Sequence, residues 1–312
     1  MRVMRAESAG FCLGVSLALQ RLEREQALSG ERGGRLITLG PVIHNPLLMS
    51  HYTQSGVICD DAPHDLRPED RVLIRAHGIP RDVEAALKES GVSIADATCP
   101  KVKKARSAIG KAHAAGGVLL LLGERDHPEV RGLLSYAGPS AQVFADLEEL
   151  RSQPLDPETD YFLAAQTTQS RAIFNLAVDD TARRLRREVP ALDTICDATS
   201  ARQQEVSELC ATVASMVVVG GFNSGNTKRL AETAAEAGVF AVHVERPSDF
   251  SQEDLRRIRS AGSPVGLSAG ASTPVEQIDA VQNFLEQMDI TRNFPEAPAP
   301  PAREGKKTVC KR

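Results

Sequence analysis

The sequence predicts an α/β protein made of three small parallel α/β units set around a pseudo-threefold axis. Three observations predict it. Short apolar runs each close in a polar or glycine-rich turn and lead into a helical pattern, the alternation expected of parallel sheets. The polar residues that close nine such runs fall into three rounds of three, Cys12, His44, His77, then Cys99, His127, Thr167, then Cys196, Ser224, Ser272, and every round opens with a cysteine. From Cys12 to His44, Cys99 to His127 and Cys196 to Ser224 the steps are 32, 28 and 28 residues, each long enough for one strand–helix unit.

The elements follow in order. The first run, "MRVMRAESAGFCLGV", ends at Cys12 and opens the helical pattern "LGVSLALQRLEREQAL". "RLITLGPVIHNP" and "DRVLIRAHGIP" carry His44 and His77; "SIADATCPKV" brings Cys99 to the start of "KVKKARSAIGKAHAA". "GGVLLLLGERDHPEV" and "TDYFLAAQTTQS" end on His127 and Thr167. "ALDTICDATSARQ" then places Cys196 before the helical "SARQQEVSELCATVA", and "SMVVVGGFNSGNTKRL" and "SPVGLSAGASTP" supply Ser224 and Ser272. The helical patterns place apolar residues at intervals of three and four with charges opposite, as amphipathic helices do. The expected units are residues 1–97, 98–194 and 195–287, each of a size that can fold around its own core. Residues 288–312, proline- and alanine-rich and then basic, have the composition of a disordered tail, with Cys310 solvated.

Charge excludes two classes of partner. With 37 Lys+Arg against 41 Asp+Glu and a net charge of -4, the chain has no basic excess to attract nucleic acid or an anionic membrane. The longest apolar run, "VLLLL", is far shorter than the ~20 residues of a membrane span. The N-terminus lacks the apolar stretch of a secretory signal, so a reducing, cytoplasmic setting is expected. Six cysteines without close pairs and without a CxxC predict neither a disulfide framework nor a common zinc motif. Cys59, after an apolar run, and Cys210, inside a helical pattern, read as small buried apolar residues.

A cysteine directly before a helix is biased toward thiolate by the helix dipole, and Pro100 suits a first helical position where its missing N–H costs nothing. Three such thiols suit a metal. Zinc would take His127 or His44 as a fourth ligand. A [4Fe–4S] cluster held by three cysteines keeps one iron open to substrate. Both readings stand on the residues alone. His44, His77, Ser224, Asn226 and Ser272 are short hydrogen-bonding groups, several in glycine-bearing turns that open helices, and such turns bind phosphates. No Walker A or GxGxxG motif appears, so a small phosphorylated or diphosphorylated substrate fits better than a nucleotide. Glu129 either delivers protons beside the metal, with Thr167 or a water as relay, or merely favours a helix N-terminus.

The motifs "GFCLGV", "GPVIHN", "RAHGIP", "DATCPKV", "HPEV", "QTTQS", "TICDATSARQ", "NSGNTKRL" and "AGASTP" resemble, in order, those of the 4-hydroxy-3-methylbut-2-enyl diphosphate reductase (LytB) family. That resemblance implies a cloverleaf of three α/β units around one central [4Fe–4S] cluster on Cys12, Cys99 and Cys196. It implies a cytoplasmic oxidoreductase of the non-mevalonate isoprenoid pathway that removes the allylic hydroxyl of its substrate and yields isopentenyl and dimethylallyl diphosphate. Glu129 matches the family's proton donor and Thr167 the threonine at the reacting end. His44, His77, His127, Ser224, Asn226 and Ser272 match its diphosphate cradle. Electrons would come from a ferredoxin or flavodoxin with its reductase. The chain departs from the family at Gly225, where a second serine is usual, and at Leu17, where a basic residue is common. The alternatives are a cluster-bearing paralogue acting on another small substrate and a non-catalytic iron–sulfur sensor.

Overall fold

The computed structural model describes residues 1–288; the expected tail beyond, with Cys310, lies outside them. Among the described residues, eleven strands form three parallel sheets. The first sheet holds β2 (Leu36–Thr38), β3 (Ile58–Cys59), β4 (Arg71–Ile74) and β5 (Ser93–Asp96) in the order β3-β2-β4-β5. The second holds β6 (Val118–Leu122), β7 (Gln142–Phe144) and β8 (Tyr161–Ala165) in the order β7-β6-β8. The third holds β9 (Ser215–Val219), β10 (Phe240–Val244), β11 (Val265–Ala269) and the N-terminal β1 (Val3–Arg5), ordered β1-β11-β9-β10.

Alternation along the strands explains why the sheets are covered on both faces. In β9, Val217 and Val219 join one apolar cluster, with Ile258 of α10 (Gln252–Ala261) and Ile278 and Val281 of α11 (Val275–Gln287). Met216 and Val218 point the other way, into a cluster with Val206 of α8 (Asp197–Cys210) and Leu230 of α9 (Gly225–Glu236). In β6, Leu120 and Leu122 meet Phe174 of α7 (Arg171–Leu185), while Leu119 and Leu121 meet Ile109 of α4 (Pro100–Ala114) and Leu133 of α5 (Pro128–Leu134). The first sheet divides likewise: Leu73 faces Leu22 of α1 (Leu13–Arg32), and Val72 faces Leu87 of α3 (Arg81–Glu89). Unbroken apolar runs such as "VLLLL" are what two-sided burial requires.

Four expectations change. The N-terminal strand does not pair within the 1–97 unit. It pairs with β11, Val3 opposite Val265, and fills beside β11 the place that β5 fills beside β4. The run before Cys196 forms no strand, only an isolated bridge between Ala191 and Leu163. There the Thr194 hydroxyl accepts from the Ala165 N–H and donates to the Ala165 carbonyl, so a side chain does the work of the backbone ladder. Strands β3, β7 and β10 are edge strands absent from the nine expected runs; β3 is exposed along its length and carries no alternating signal. Cys59, at its end, is exposed rather than buried, whereas Cys210 is buried as expected.

Each cysteine therefore lies where the chain leaves one sheet and starts the helix that covers the next. Cys12 passes from the third sheet to α1, Cys99 from the first to α4, and Cys196 from the edge of the second to α8. By sheet, the polar termini regroup as His44, His77, Cys99; His127, Thr167, Cys196; and Ser224, Ser272, Cys12.

Candidate active site

All nine residues that close the expected runs, together with Glu129 and Asn226, line one cavity with an empty volume of about 760 Å³ that is partly open to solvent. Parallel strands gather functional groups at their carboxyl ends, and here three sheets aim those ends at one point. Several of these residues also cap helices. Cys12 caps α1 and accepts from the Val15 N–H at 3.4 Å; Ser224 caps α9 and accepts from the Thr227 N–H at 3.3 Å. Cys99 and Cys196 precede α4 and α8, and His127 precedes α5. Gly78, at φ 73°, turns the chain sharply after His77 toward α3.

The cysteines form one side. An added Cβ at Gly14 would stand 2.6 Å from Cys99 Sγ and 3.8 Å from Cys12 Sγ, so glycine leaves open the space between two thiols that come from different sheets. Cys99 does not follow the expected dipole bias. Burial pushes its thiol up, and the Lys101 and Val102 N–H groups only partly oppose that. A buried thiol of this kind loses its proton to a metal rather than to solvent. Three sulfur donors around one cavity, with a cradle that a Cβ would fill, fit an iron–sulfur cluster.

The histidines form another side. The His44 and His127 Nε2 atoms are 3.2 Å apart, and the His44 and His77 ring centroids are 4.2 Å apart. Burial holds all three below the ordinary histidine value: His44 falls to about 4, His127 to about 3, and His77 well below, with the nearby charge of Arg75 adding to each. One ring nitrogen from each lies within 4.8 Å of the others, close enough for a metal ion. His127 argues for a different use. Its Nδ1 accepts from the Glu129 N–H at 3.1 Å, so the neutral ring carries its proton on Nε2 and presents a donor, not a metal lone pair. In the same cavity, Asn226 is buried with neither side-chain polar atom paired among the described residues, and Nδ1 of His44 and of His77 is likewise unpaired there. Unpaired buried donors around a cavity are groups that await a ligand.

Glu129 lines the same cavity and is 2% exposed. It accepts from Thr167 twice, from N–H at 2.6 Å on Oε1 and from the hydroxyl at 2.9 Å on Oε2. Burial raises its carboxyl to about 7 against the lowering effect of both bonds. Its place in the first turn of α5 accounts for neither the burial nor the raised value. An acid poised near neutral pH can hold and release a proton.

Sequence reasoning missed Arg202, which also lines the cavity. It falls on the buried stripe Thr199, Arg202, Val206 and Cys210 of α8, and an arginine on a core stripe was the available signal.

The LytB protein family model matches residues 3–286. A 4-hydroxy-3-methylbut-2-enyl diphosphate reductase of Nitratidesulfovibrio vulgaris (strain DSM 19637 / Miyazaki F) is 54% identical over 288 residues, 92% of this chain and 100% of that one. The reductase of Aquifex aeolicus is 36% identical, covering 92% of this chain and 96% of its own. Among solved structures, an (E)-4-hydroxy-3-methyl-but-2-enyl diphosphate reductase, described as the terminal enzyme of the non-mevalonate pathway, aligns with TM-score 0.64 at 36% identity, covering 92% of this chain and 100% of its own. A Plasmodium falciparum reductase aligns with TM-score 0.84 at 22% identity over 95% of each chain and supports the fold. No helix among the described residues is long and apolar enough to cross a membrane. The chain belongs to the LytB protein family.

Proposed function

We propose that this chain is a 4-hydroxy-3-methylbut-2-enyl diphosphate reductase of the non-mevalonate isoprenoid pathway. It takes the allylic diphosphate, two electrons and two protons to isopentenyl or dimethylallyl diphosphate and water. The observation that carries the reading is Glu129, a buried acid poised at about 7, in one cavity with three cysteines and with unpaired polar groups. Cys12, Cys99 and Cys196 would hold a [4Fe–4S] cluster with one iron free of protein ligands. When bound, that cluster supplies the electrons and a Lewis acid for the leaving hydroxyl.

The chain's own residues do the rest. His44, His77, His127, Ser224, Asn226 and Ser272 bind the diphosphate as neutral donors. Ser224 Oγ accepts from a backbone N–H and so keeps its hydroxyl proton for the ligand. The Asn226 amide has no partner among the described residues, and His127 turns its Nε2–H from His44 to the anion. Because the histidines stay neutral, the positive field comes from Arg75 and Lys228, the cations that act on them. Protonated Glu129 delivers a proton at the reacting end, and Thr167 holds its carboxyl in place. The electrons arrive from a one-electron carrier of the ferredoxin or flavodoxin kind.

Anaerobic iron and sulfide analysis with Mössbauer spectroscopy, with and without the hydroxylated allylic diphosphate, tests this. About four irons per chain, one distinct and shifting on substrate addition, is the expected result. Zinc, or iron indifferent to the diphosphate, would overturn it.

A further inference from the structure

Arg202 is the one buried arginine or lysine among the described residues, 5% exposed. Its hydrogen bonds go to two carbonyls: Nη1 donates to Ala198 O at 3.1 Å, and Nη2 donates to Gly10 O at 2.9 Å. Its Nε has no partner among the described residues. No carboxylate pairs with it there. Glu205, the carboxylate whose charge acts on it, accepts from the Glu7 N–H, the Ser8 N–H and the Ser8 hydroxyl, and is committed to that loop.

A buried cation without a counter-charge costs several kcal/mol and does not persist without compensation. Burial lowers the guanidinium's affinity for its proton, and the groups that restore it most are Cys12 and Cys196. Arg202 lines the same cavity as all three cysteines. It also ties together two of the segments that carry them, since it belongs to the helix Cys196 opens and bonds the carbonyl two residues before Cys12.

We propose that Arg202 is the internal counter-ion of the thiolate-bound cluster, favouring its more negative, reduced state and thereby raising its reduction potential. This rests on the cluster reading of the site. A three-thiolate [4Fe–4S] group gains one negative charge on one-electron reduction, and a fixed cation nearby stabilises the product more than the reactant. Net charge around a cluster is among the factors that set its potential. Arg202 acts here through the cluster, as a positioning residue.

The test is an anaerobic redox titration, followed by EPR, of the full-length cluster-loaded protein and of R202Q and R202K, with iron and sulfide per chain measured for each. The expected result is a lower midpoint potential for R202Q and a value near wild type for R202K, which keeps the charge. If R202Q loses its cluster, the titration is made on R202M, whose midpoint is expected to fall below that of R202K; equal midpoints would overturn the proposal. An unchanged potential in loaded R202Q, equal shifts in both variants, or equal loss of cluster from both would overturn the proposal and leave Arg202 a packing residue. Absence of iron and sulfide from the wild type would instead sink the cluster reading itself.

Discussion

Thr167 holds the Glu129 carboxyl with both of its donors, N–H on one oxygen at 2.6 Å and hydroxyl on the other at 2.9 Å. Both bonds favour the ionised form, and burial opposes them and prevails. A carboxylic acid is thus kept able to give up a proton near neutral pH by two effects of opposite sign. Residues 38 apart in sequence set the balance.

Thr167→Val removes the hydroxyl bond and keeps the N–H bond. The lost bond had lowered the Glu129 value, so the alkaline limb of the turnover profile moves to higher pH. A pH–rate series on wild type and variant reads the shift; an unchanged limb would mean that Glu129 is not the acid being titrated.

Glu129→Gln lowers kcat about 10²- to 10⁴-fold, the usual weight of a general acid, with substrate affinity largely kept. Steady-state turnover under anaerobic conditions measures it. Turnover near wild type would remove Glu129 from the proton path.

The same variant carries a stability signature. Glu129 rises from 4.5 unfolded to about 7 folded, so its contribution is complete below pH 4.5 and is lost as pH rises through about 7. Burying the charged form at pH 8 costs about 3 kcal/mol at ~1.4 kcal/mol per pH unit. Glu129→Gln therefore gains stability relative to wild type between pH 4.5 and pH 8. Thermal melts at the two pH values would reveal it.

Gly14→Ala places a methyl group 2.6 Å from Cys99 Sγ. Cluster retention against a chelator falls about 10- to 100-fold, as for other changes that misplace metal ligands. Iron per chain after dialysis is the measurement, and circular dichroism separates this from a folding defect.

Asn226→Ala removes a buried amide that has no partner to lose among the described residues. Hydrogen bonds to charged groups are worth about 1.5–3 kcal/mol, so KM rises about 10- to 100-fold while kcat changes little. Gly225→Ser works in the opposite direction. The new Cβ sits 3.3 Å from Glu124 Oε1 and 3.6 Å from Thr168 Oγ, which leaves room after a small shift. Its hydroxyl adds a donor to the cradle and lowers KM.

The sequence by itself determined the α/β class, the buried two-sided strands and the set of polar termini, because these are local properties. Apolar runs, turns and caps are decided by neighbours within a few residues. Every candidate residue from Cys12 to Ser272 was legible in this way. The tertiary structure alone decided which sheet each belongs to. The N-terminal strand closes the third sheet rather than the first, and each cysteine joins one sheet to the next, since an open parallel edge is filled by whichever strand the crossover delivers. It alone decided that Cys59 is exposed, that His127 must offer its Nε2 proton, and that Arg202 lies buried in the cavity the thiols line. Burial, tautomer and pairing depend on groups brought together from far along the chain, and their residue types do not encode that proximity.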